Sequence, residues 1–478
     1  MKIFANARID ACDEPLPDAE LILNAYKTWG DDCVKHLLGD FAFAIRDERR
    51  QRLFCARDHF GVKPFFYTHT ADSFNFSSTL NELKVSTTLN EIAIGDYLLF
   101  GVNQDQSTTI FKDIHRLPPG HTLTVENNQI KIQRYWTPSL PAEIRFRDPE
   151  SYVERFSELL SLAVKDRLRT DRVAISMSGG LDSTSLAAIA SKHAEVAGFT
   201  VVYDSLIPDQ ERHYSTLAAN HLGIPITHLN ADVYSLFDGE MNQPEPFLIS
   251  PLTGQFNDLL QLCADFAPVA LTGYDGDSFM NEPRVRLRTR IGQMLRKIDY
   301  HGFFPEWIDE EFATRTNLRE RCREFWNAKP AAKRPAAMRA LDSKIWTALF
   351  EGYDPGATKL NLEVRHPLID LRLVEYLLAI PAVPWCVNKH ILRCAMRDKL
   401  PDAVLDRPKT GLGGDPALQL VRRASVRWLD SFEVSPQLRA FVNLDHRRPL
   451  VAEETPDALW ASLRVFALNY WLTKLPTA

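Results

Sequence analysis

Hydrophobic and polar positions alternate differently in the two parts of this chain. Up to about residue 137, short apolar runs are separated by turn residues, which predicts short strands packed around one or two helices. From residue 150 onward, stretches with helical apolar spacing alternate with short continuous apolar runs, an order typical of a parallel sheet covered by helices on both faces. Beyond about residue 280 the pattern is mostly helical. The predicted strands are 53–57, 65–67, 172–177, 198–203 and 269–272, and the predicted helices include 21–29 and 151–168.

Three prolines, Pro138, Pro141 and Pro149, mark a linker between the two parts. A chain of 478 residues is too long for one ordinary domain and suits two or three, each with its own core. The predicted boundaries are a first domain over 1–137, a linker over 138–149 and a second domain over 150–478.

Composition narrows the class of protein. Apolar residues make up 45% of the chain and charged residues 25%, which is typical of a soluble globular protein, and a net charge of -6 argues against nucleic-acid binding. No apolar run is long enough to span a membrane or to act as an export signal. The 7 cysteines form no CxxC pair and no zinc-binding spacing, as expected of reduced thiols. We expect a cytoplasmic protein with neither a nucleic-acid nor a membrane partner.

The strongest chemical signal is the hexapeptide SGGLDS at 178–183, which stands between a predicted strand and a run with helical spacing. Glycines let backbone amides approach phosphate oxygens, and the N–H groups of a helix N-terminus add their dipole. The loop lacks the lysine of a Walker A motif. Asp182 instead places a carboxylate inside the turn, where it is suited to hold Mg²⁺ against phosphates. If Gly179 and Gly180 are considered without their neighbours, the alternative interpretation is an ordinary glycine turn.

A second glycine turn, TGYDGD at 272–277, follows the predicted strand 269–272. Asp277 would then lie at the carboxyl end of a strand, the sheet edge at which open α/β folds bind ligands. Asp182 and Asp277, each at the end of its own strand, are placed to share one or two Mg²⁺ ions that bridge a triphosphate. The alternative is that both aspartates only cap helices.

These two turns, taken with three later motifs, resemble the asparagine synthetase superfamily. The later motifs are EVRHPLID at 363–370, KHILR at 389–393 and RPK at 407–409, and all five follow the family's order, so the resemblance covers roughly 150 to 420. In the first domain, GDFAFA at 39–44 and RDHFG at 57–61 resemble that family's glutaminase domain. The resemblance implies an α/β fold class: a truncated Ntn-type amidohydrolase sandwich, then a PP-loop ATP pyrophosphatase domain with a parallel sheet and a helical C-terminal part.

The same resemblance implies an enzyme that uses ATP and Mg²⁺ to convert a carboxylate into an acyl-adenylate, which an amine then attacks. Activation is needed because a carboxylate is a poor electrophile, whereas AMP leaves easily and Mg²⁺ offsets the charge on pyrophosphate. By resemblance the metal ligands are Asp182 and Asp277, and Lys409 is the catalytic lysine that stabilises charge on the transferring phosphate. The residues implied in ATP and pyrophosphate binding are Ser178, Gly179, Gly180, Leu181, Asp182, Ser183, Thr184, Val202, Thr272 and Gly273.

Two basic features of the sequence each have two possible interpretations. Lys389 and Arg393 lie four residues apart on one face of a predicted helix, where they either steady phosphates or hold a carboxylate such as Asp370. The basic run 284–290 that follows Asp277 is either an entrance for an acidic or peptide substrate or a solvated basic face.

The first domain departs from the family at its glutamine site. The family uses a cysteine exposed at the mature N-terminus as its nucleophile, whereas this sequence begins Met1-Lys2. Arg8 stands in place of the carboxylate that would hold the amine of glutamine, while Asp18 still matches the other acidic glutamine contact. We therefore expect no glutaminase activity.

Tyr274 is the second departure. Asparagine synthetases carry a glutamate at this place, whereas the branch that closes β-lactam rings carries a tyrosine, which works with a glutamate in the position of Glu363 to deprotonate an internal amine. A carboxylate that polarises a phenol suits a proton relay, so the resemblance implies catalytic roles for Tyr274 and Glu363. The alternative is that Tyr274 packs on the adenine or on a neighbouring helix.

We therefore expect a carbon–nitrogen ligase that forms AMP and pyrophosphate and closes an internal amide, as lactam-forming and lasso-peptide-cyclising enzymes do, without its own glutaminase. Its substrate would be a small molecule or peptide that carries both carboxylate and amine, and a lasso pathway adds a precursor peptide and a protease as partners. Two alternatives stay open: an asparagine synthase that uses ammonia or glutamine, and a non-catalytic ATP-binding relative.

Overall fold

The computed structural model describes residues 1–10, 16–83, 88–239, 241, 243–282, 304–328, 331, 333–408, 413–423, 426, 428–429 and 431–475. Lys409 and the basic run 284–290 lie outside these described residues. Within them, no helix combines the length and the apolar character needed to cross a membrane.

The first part of the chain is a two-layer β structure with two helices, α1 (Asp18–Trp29) and α2 (Glu91–Phe100). Its five-stranded sheet is antiparallel, in the order β1-β2-β3-β7-β8, and its three-stranded sheet has the order β5-β4-β6. The strands are β1 (Lys2–Ile9), β2 (Gly39–Asp47), β3 (Arg52–Arg57), β4 (Phe66–His69), β5 (Phe74–Ser77), β6 (His115–Arg116), β7 (His121–Glu126) and β8 (Gln129–Arg134).

Strand β2 is largely buried on both faces, with large side chains on one face and small ones on the other. Phe41, Phe43 and Ile45 share a core with residues of α1. Ala42 and Ala44, on the opposite face, pack in a second core with residues of the smaller sheet. Because successive side chains along a strand point to opposite faces, β2 contributes to both cores.

The second part contains a five-stranded parallel sheet in the order β11-β10-β9-β12-β13. The chain leaves β9 toward β10 and returns on the other side of β9 as β12, so the strand order reverses between these two. The loops that follow β9 and β12 therefore meet at the carboxyl edge of the sheet, the usual ligand site of an open α/β fold. The strands are β9 (Arg172–Ser176), β10 (Glu195–Val202), β11 (Ile226–Asn230), β12 (Val269–Thr272) and β13 (Glu363–Arg365).

Helices cover both faces of this sheet. Val173 and Ile175 of β9 face a large core that includes residues of α3 and α4, whereas Ala174 faces a smaller core that includes residues of α6. The helices of this part are α3 (Pro149–Leu168), α4 (Leu181–Ala190), α5 (Glu211–Leu222), α6 (Thr253–Phe266), α7 (Gly276–Met280), α8 (Glu310–Arg315), α9 (Leu318–Asn327), α10 (Pro335–Leu341), α11 (Ile345–Tyr353), α12 (Pro355–Thr358), α13 (Leu371–Ala379), α14 (Ala382–Trp385), α15 (His390–Ala395), α16 (Asp402–Leu405), α17 (Pro416–Leu420) and α18 (Pro456–Thr473).

A buried charge cluster ties the two parts together. Arg116 of β6 donates to the two carboxylate oxygens of Glu351 in α11, at 2.9 and 3.0 Å, and also to Glu245. Their side chains are at most 4% exposed. Removing one partner of such a buried pair typically costs about 3–5 kcal/mol because the other charge is left buried and unpaired, so the two parts must stay packed to keep this cluster paired.

The predicted α/β fold class is confirmed, and predicted elements occur with shifted ends. The predicted helix 21–29 begins earlier, at Asp18, and the predicted strand 198–203 becomes Glu195–Val202. Strand β13 was not predicted, because it has 3 residues and two of them, Glu363 and Arg365, are charged.

Candidate active site

The loop after β9 has the form expected of a phosphate cradle. Gly180 directly precedes α4, so the N-terminus of that helix opens at the sheet edge. Two hydroxyl groups of α4 turn back onto the loop: Thr184 donates to the carbonyl of Gly180 at 2.8 Å, and Ser183 donates to the carbonyl of Ser178 at 2.9 Å. The predicted glycine turn is therefore formed at the switch point of the sheet.

Gly179 lies against helix α5. A Cβ at this position would meet the Cβ of Tyr214 at 2.3 Å and the backbone nitrogen of Ser215 at 2.9 Å, so only glycine fits without a shift. The Gly179 N–H donates to the carboxylate of Glu211 at 2.7 Å. Glu211 also accepts from Arg407 at 2.8 Å, and that guanidinium lies 4.3 Å from the centre of the Tyr214 ring. Glu211 was not predicted from the sequence, because it lies 32 residues from the Gly179 N–H whose hydrogen bond it accepts.

Two glycines of the loop after β12 press against the loop after β9. A Cβ on Gly273 would lie 2.8 Å from the backbone nitrogen of Ser183 and 3.0 Å from the Cβ of Asp182. A Cβ on Gly276 would lie 2.9 Å from the carboxyl carbon of Asp182. These glycines therefore let the two acidic loops approach each other closely.

One ammonium group joins the two predicted metal ligands. Lys389 Nζ lies 2.5 Å from Oδ2 of Asp182 and 3.0 Å from Oδ1 of Asp277. The Lys389 side chain is 11% exposed, against 14% for Asp182 and 34% for Asp277. The backbone N–H of Lys389 donates to the carbonyl of Met280, the last residue of α7, at 2.8 Å. The helix that carries Asp277 thus also positions the lysine that neutralises it.

Of the two roles considered for Lys389, the contact with a carboxylate is the one observed, but Asp370 is not its partner. Asp370 pairs instead with Arg167 and with Arg372, each at 2.8 Å. Arg393 donates to two backbone carbonyl groups, at 2.8 and 3.1 Å.

The donor set fits a hard divalent cation that arrives with phosphate ligands. Asp182 and Asp277 present carboxylate oxygens around a point that a cationic group already takes, and Mg²⁺ prefers such oxygens together with phosphates and water. Among the described residues, no group of three or more His, Cys, Asp or Glu side chains forms a metal centre. Two protein carboxylates would therefore need phosphate oxygens and water to complete the coordination.

Tyr274 lies between the two glycines of the second loop and packs edge-on against His366, with ring centroids 6.3 Å apart. Burial raises the pKa of the Tyr274 hydroxyl, so the phenol stays protonated near neutral pH. Nδ1 of His366 lies 2.7 Å from Oγ1 of Thr272, and burial lowers the pKa of His366 to about 3, so this imidazole is neutral.

Glu363 is bound by two cations. Its Oε1 accepts from Lys63 at 2.6 Å, and its Oε2 accepts from Arg365 at 2.5 Å. Burial opposes the ionisation of Glu363, but the charges of Lys63 and Arg365 outweigh burial and lower its pKa to about 2. Within the described residues, no hydrogen bond joins Glu363 to Tyr274. The expected Tyr274–Glu363 relay contact is therefore not formed, and the partners of the Glu363 carboxylate are the two cations.

Lys63 belongs to the first part of the chain, and the sequence analysis missed it. A tight turn presents it: Asp58 accepts from the N–H groups of Gly61, Val62 and Lys63 at 2.7, 3.0 and 3.0 Å. Arg57 donates to the carbonyls of Gly61 and Lys63, both at 2.8 Å. The RDHFG motif contains the residues that close this turn, but Glu363, the partner of Lys63, lies 300 residues away.

Arg8 and Asp18, the two residues at the expected glutamine site, are both ion-paired. Arg8 is 1% exposed, pairs with Asp40 at 2.7 Å and contacts Asp10. Asp18 pairs at 2.8 Å with Arg169, which directly follows α3 in the second part. The acidic group that matches a glutamine contact therefore takes part in packing between the two parts.

The other predicted nucleotide-binding residues lie around the same sheet edge. Leu181 begins α4, Val202 ends β10 and Thr272 ends β12. Lys409 lies outside the described residues, and its predicted role stays a prediction.

Two protein-family models match this chain. A glutamine amidotransferase domain model matches residues 15–136, and an asparagine synthase model matches residues 155–473. The chain belongs to the asparagine synthase family. Membership of the asparagine synthase family makes it a carbon–nitrogen ligase that uses ATP.

Two relatives come from Bacillus subtilis. Glutamine-hydrolyzing asparagine synthetase 3 is 30% identical over 453 residues, which cover 83% of this chain and 70% of the relative. Glutamine-hydrolyzing asparagine synthetase 2 is 29% identical over 449 residues, which cover 82% of this chain but only 58% of the relative. The structure of NMN synthetase from Francisella tularensis aligns with a TM-score of 0.25 and 12% identity, covering 70% of this chain and 99% of that one. So low a score supports no inference about this chain.

We predict that Gly273→Ala weakens binding of Mg·ATP. The added methyl group would meet Ser183 and Asp182 at 3.0 Å or less and force the two acidic loops apart. Overpacking of this kind costs about 1–3 kcal/mol, so a loss of about tenfold in affinity is expected by isothermal titration. Gly352→Ala is the matched control, because its methyl group would meet no atom closer than 3.5 Å. Equal affinities for wild type and Gly273→Ala would contradict the proposed closeness of the loops.

Proposed function

We propose that this member of the asparagine synthase family adenylates a carboxylate with Mg·ATP, releases pyrophosphate and joins the activated carboxylate to an amine within the same substrate. The observation that carries the first half is the pairing of Asp182 and Asp277 across the two glycine loops, beside the open N-terminus of α4. Backbone amides and carboxylates so arranged suit a metal-bound triphosphate.

Each group at the sheet edge has a defined task in this reaction. The amides and hydroxyls of 178–184 would hold the pyrophosphate as it leaves. Asp182 and Asp277 would hold Mg²⁺, which supplies positive charge to the phosphates when bound. Lys409, by resemblance, would stabilise charge on the AMP phosphate and on the oxyanion formed when the amine attacks.

Two observations support an amine that belongs to the substrate. Tyr274 stands where asparagine synthetases carry a glutamate, and Arg8 fills the expected glutamine site with a buried, ion-paired guanidinium. The substrate class is then a small molecule or peptide that carries both reacting groups, as in lactam formation or lasso-peptide cyclisation. In a lasso pathway, a precursor peptide and a protease would be the partners.

Asparagine synthesis from aspartate is the second candidate function. Both Bacillus subtilis relatives favour it, since each is a glutamine-hydrolyzing asparagine synthetase. The two candidates share adenylation and differ only in the source of the amine.

Asp182→Asn and Asp277→Asn should each abolish most pyrophosphate release while leaving the fold intact. Each substitution removes one anionic ligand from the metal, and the loss of one such stabilising contact typically costs about 10²–10³ in rate. Pyrophosphate release is measured with aspartate or with a substrate that carries both groups, and circular dichroism checks the fold. Turnover like that of wild type in both variants would rule out the proposed site.

The purified chain should release no glutamate from glutamine above background. Arg8 cannot act as the carboxylate that would hold the amine of glutamine, and Asp18 is already paired with Arg169. Ammonium supplied in place of glutamine is the control for an intact ligase site. Glutamate that appears in step with AMP would show that this region still binds glutamine.

Tyr274→Phe should slow amide formation while ATP–pyrophosphate exchange continues, because an internal amine arrives protonated and needs a proton acceptor as it attacks. Lys409→Met should damage amide formation and adenylation alike, or amide formation most, because its charge serves both steps. Asparagine formed from aspartate and ammonium at a useful rate would favour the second candidate. Unchanged amide formation in Tyr274→Phe would likewise count against an internal amine.

A further inference from the structure

The cation position of the candidate active site is taken by a side chain of the protein itself. Lys389 Nζ lies within 3.0 Å of one carboxylate oxygen from each of Asp182 and Asp277, the two predicted metal ligands. Lys389 and Asp182 are mostly buried and Asp277 is half-buried, so the attraction between Lys389 and Asp182 is the less screened of the two. An ion that binds these two oxygens must compete with this lysine.

The anion position is taken in the same way. The Gly179 N–H, which belongs to the phosphate cradle, donates to the carboxylate of Glu211 at 2.7 Å. Arg407 fixes that carboxylate from the other side at 2.8 Å. A carboxylate that accepts from a cradle amide holds the place that a phosphate oxygen would need.

We propose that Lys389 and Glu211 are internal counter-ions of the nucleotide site: Lys389 takes the place of the metal and Glu211 takes the place of a phosphate oxygen until metal and nucleotide arrive together. The inference rests on the proposed function, because it concerns the same ATP site. The added consequence is that neither the metal alone nor pyrophosphate alone binds tightly to this site.

The charges explain why joint binding is favoured. A metal ion that arrives alone must compete with a lysine that already pairs with both carboxylates, and the displaced ammonium group gains no new partner. Phosphates supply that partner, because they can accept the released ammonium group. Pyrophosphate that arrives alone meets Glu211 and two aspartates, whose three negative charges are balanced only in part by Lys389 and Arg407. Metal and phosphate thus each strengthen the binding of the other, and this coupling is reciprocal.

The first test measures Mn²⁺ binding without nucleotide, by electron paramagnetic resonance of the free ion. Wild type should bind Mn²⁺ weakly. Lys389→Met should bind it about tenfold more tightly or better, within the range of about 5- to 150-fold typical of coupling between sites. Lys399→Met is the matched control, because the Lys399 ammonium donates to the backbone carbonyl of Ala395 at 2.7 Å and leaves both aspartates untouched.

The second test uses inorganic pyrophosphate in the presence of a chelator, so that no metal takes part. Glu211→Gln removes the internal negative charge and should tighten pyrophosphate binding several-fold by isothermal titration. Glu195→Gln is its control, since Glu195 lies at the exposed start of β10 and pairs with Arg172 at 3.6 Å. This pyrophosphate test can still be carried out if Lys389→Met fails to fold.

The outcomes distinguish a failure of this inference from a failure of the proposed function. If wild type binds Mg·ATP but Lys389→Met and Glu211→Gln keep wild-type affinities for Mn²⁺ and pyrophosphate within twofold, the inference is wrong and the proposed function stands. Tight binding of Mn²⁺ alone by wild type would also overturn the inference. If wild type does not bind Mg·ATP at all, the proposed function falls and the inference falls with it.

Discussion

The site depends on one electrostatic constraint, which is that two carboxylates face each other where the strand order of the parallel sheet reverses. Asp182 and Asp277 follow neighbouring strands, and Gly273 and Gly276 allow their loops to touch. Two carboxylates this close repel each other in a partly buried site unless a cation lies between them. Lys389 supplies that cation, and the same helix α7 that carries Asp277 accepts the backbone N–H of Lys389.

Local sequence predicted the parts of the site that are built from loops, and it failed where the partners are distant in the chain. The glycine turns and Asp277 follow strands whose apolar pattern is visible, so their meeting at one edge follows from the topology. Lys63 and Glu363 are 300 residues apart, and each alone is an ordinary charged residue beside a turn or an edge strand. For Lys389 the sequence left two roles open, and only the fold selects which carboxylates it meets.

The first part of the chain also contributes a buried charge network that continues into the second. Burial opposes the ionisation of Asp40, but Arg8 and Arg167 lower its pKa, so it stays charged. Arg167 of α3 lies 3.7 Å from Asp40 and 2.8 Å from Asp370, which caps α13. Buried charges are stable only as a fully paired set, because one unpartnered member carries the whole desolvation cost. Arg8, at the expected glutamine position, thus belongs to a charge network that continues between the two parts.

Under the proposed function, the amine loses a proton as it attacks. The two groups expected to handle that proton have pKa values on opposite sides of neutral pH. Burial raises the pKa of Tyr274, which therefore accepts a proton only while it passes its own to another group. Glu363, with a pKa of about 2, is a poor acceptor as long as Lys63 and Arg365 both hold it. Loss of the contact with Lys63 would leave burial, which disfavours the charged form, less opposed and would raise that pKa. Withdrawal of Lys63 would thus make Glu363 a better proton acceptor, and under the proposed function this would link the packing of the first part to amide formation in the second.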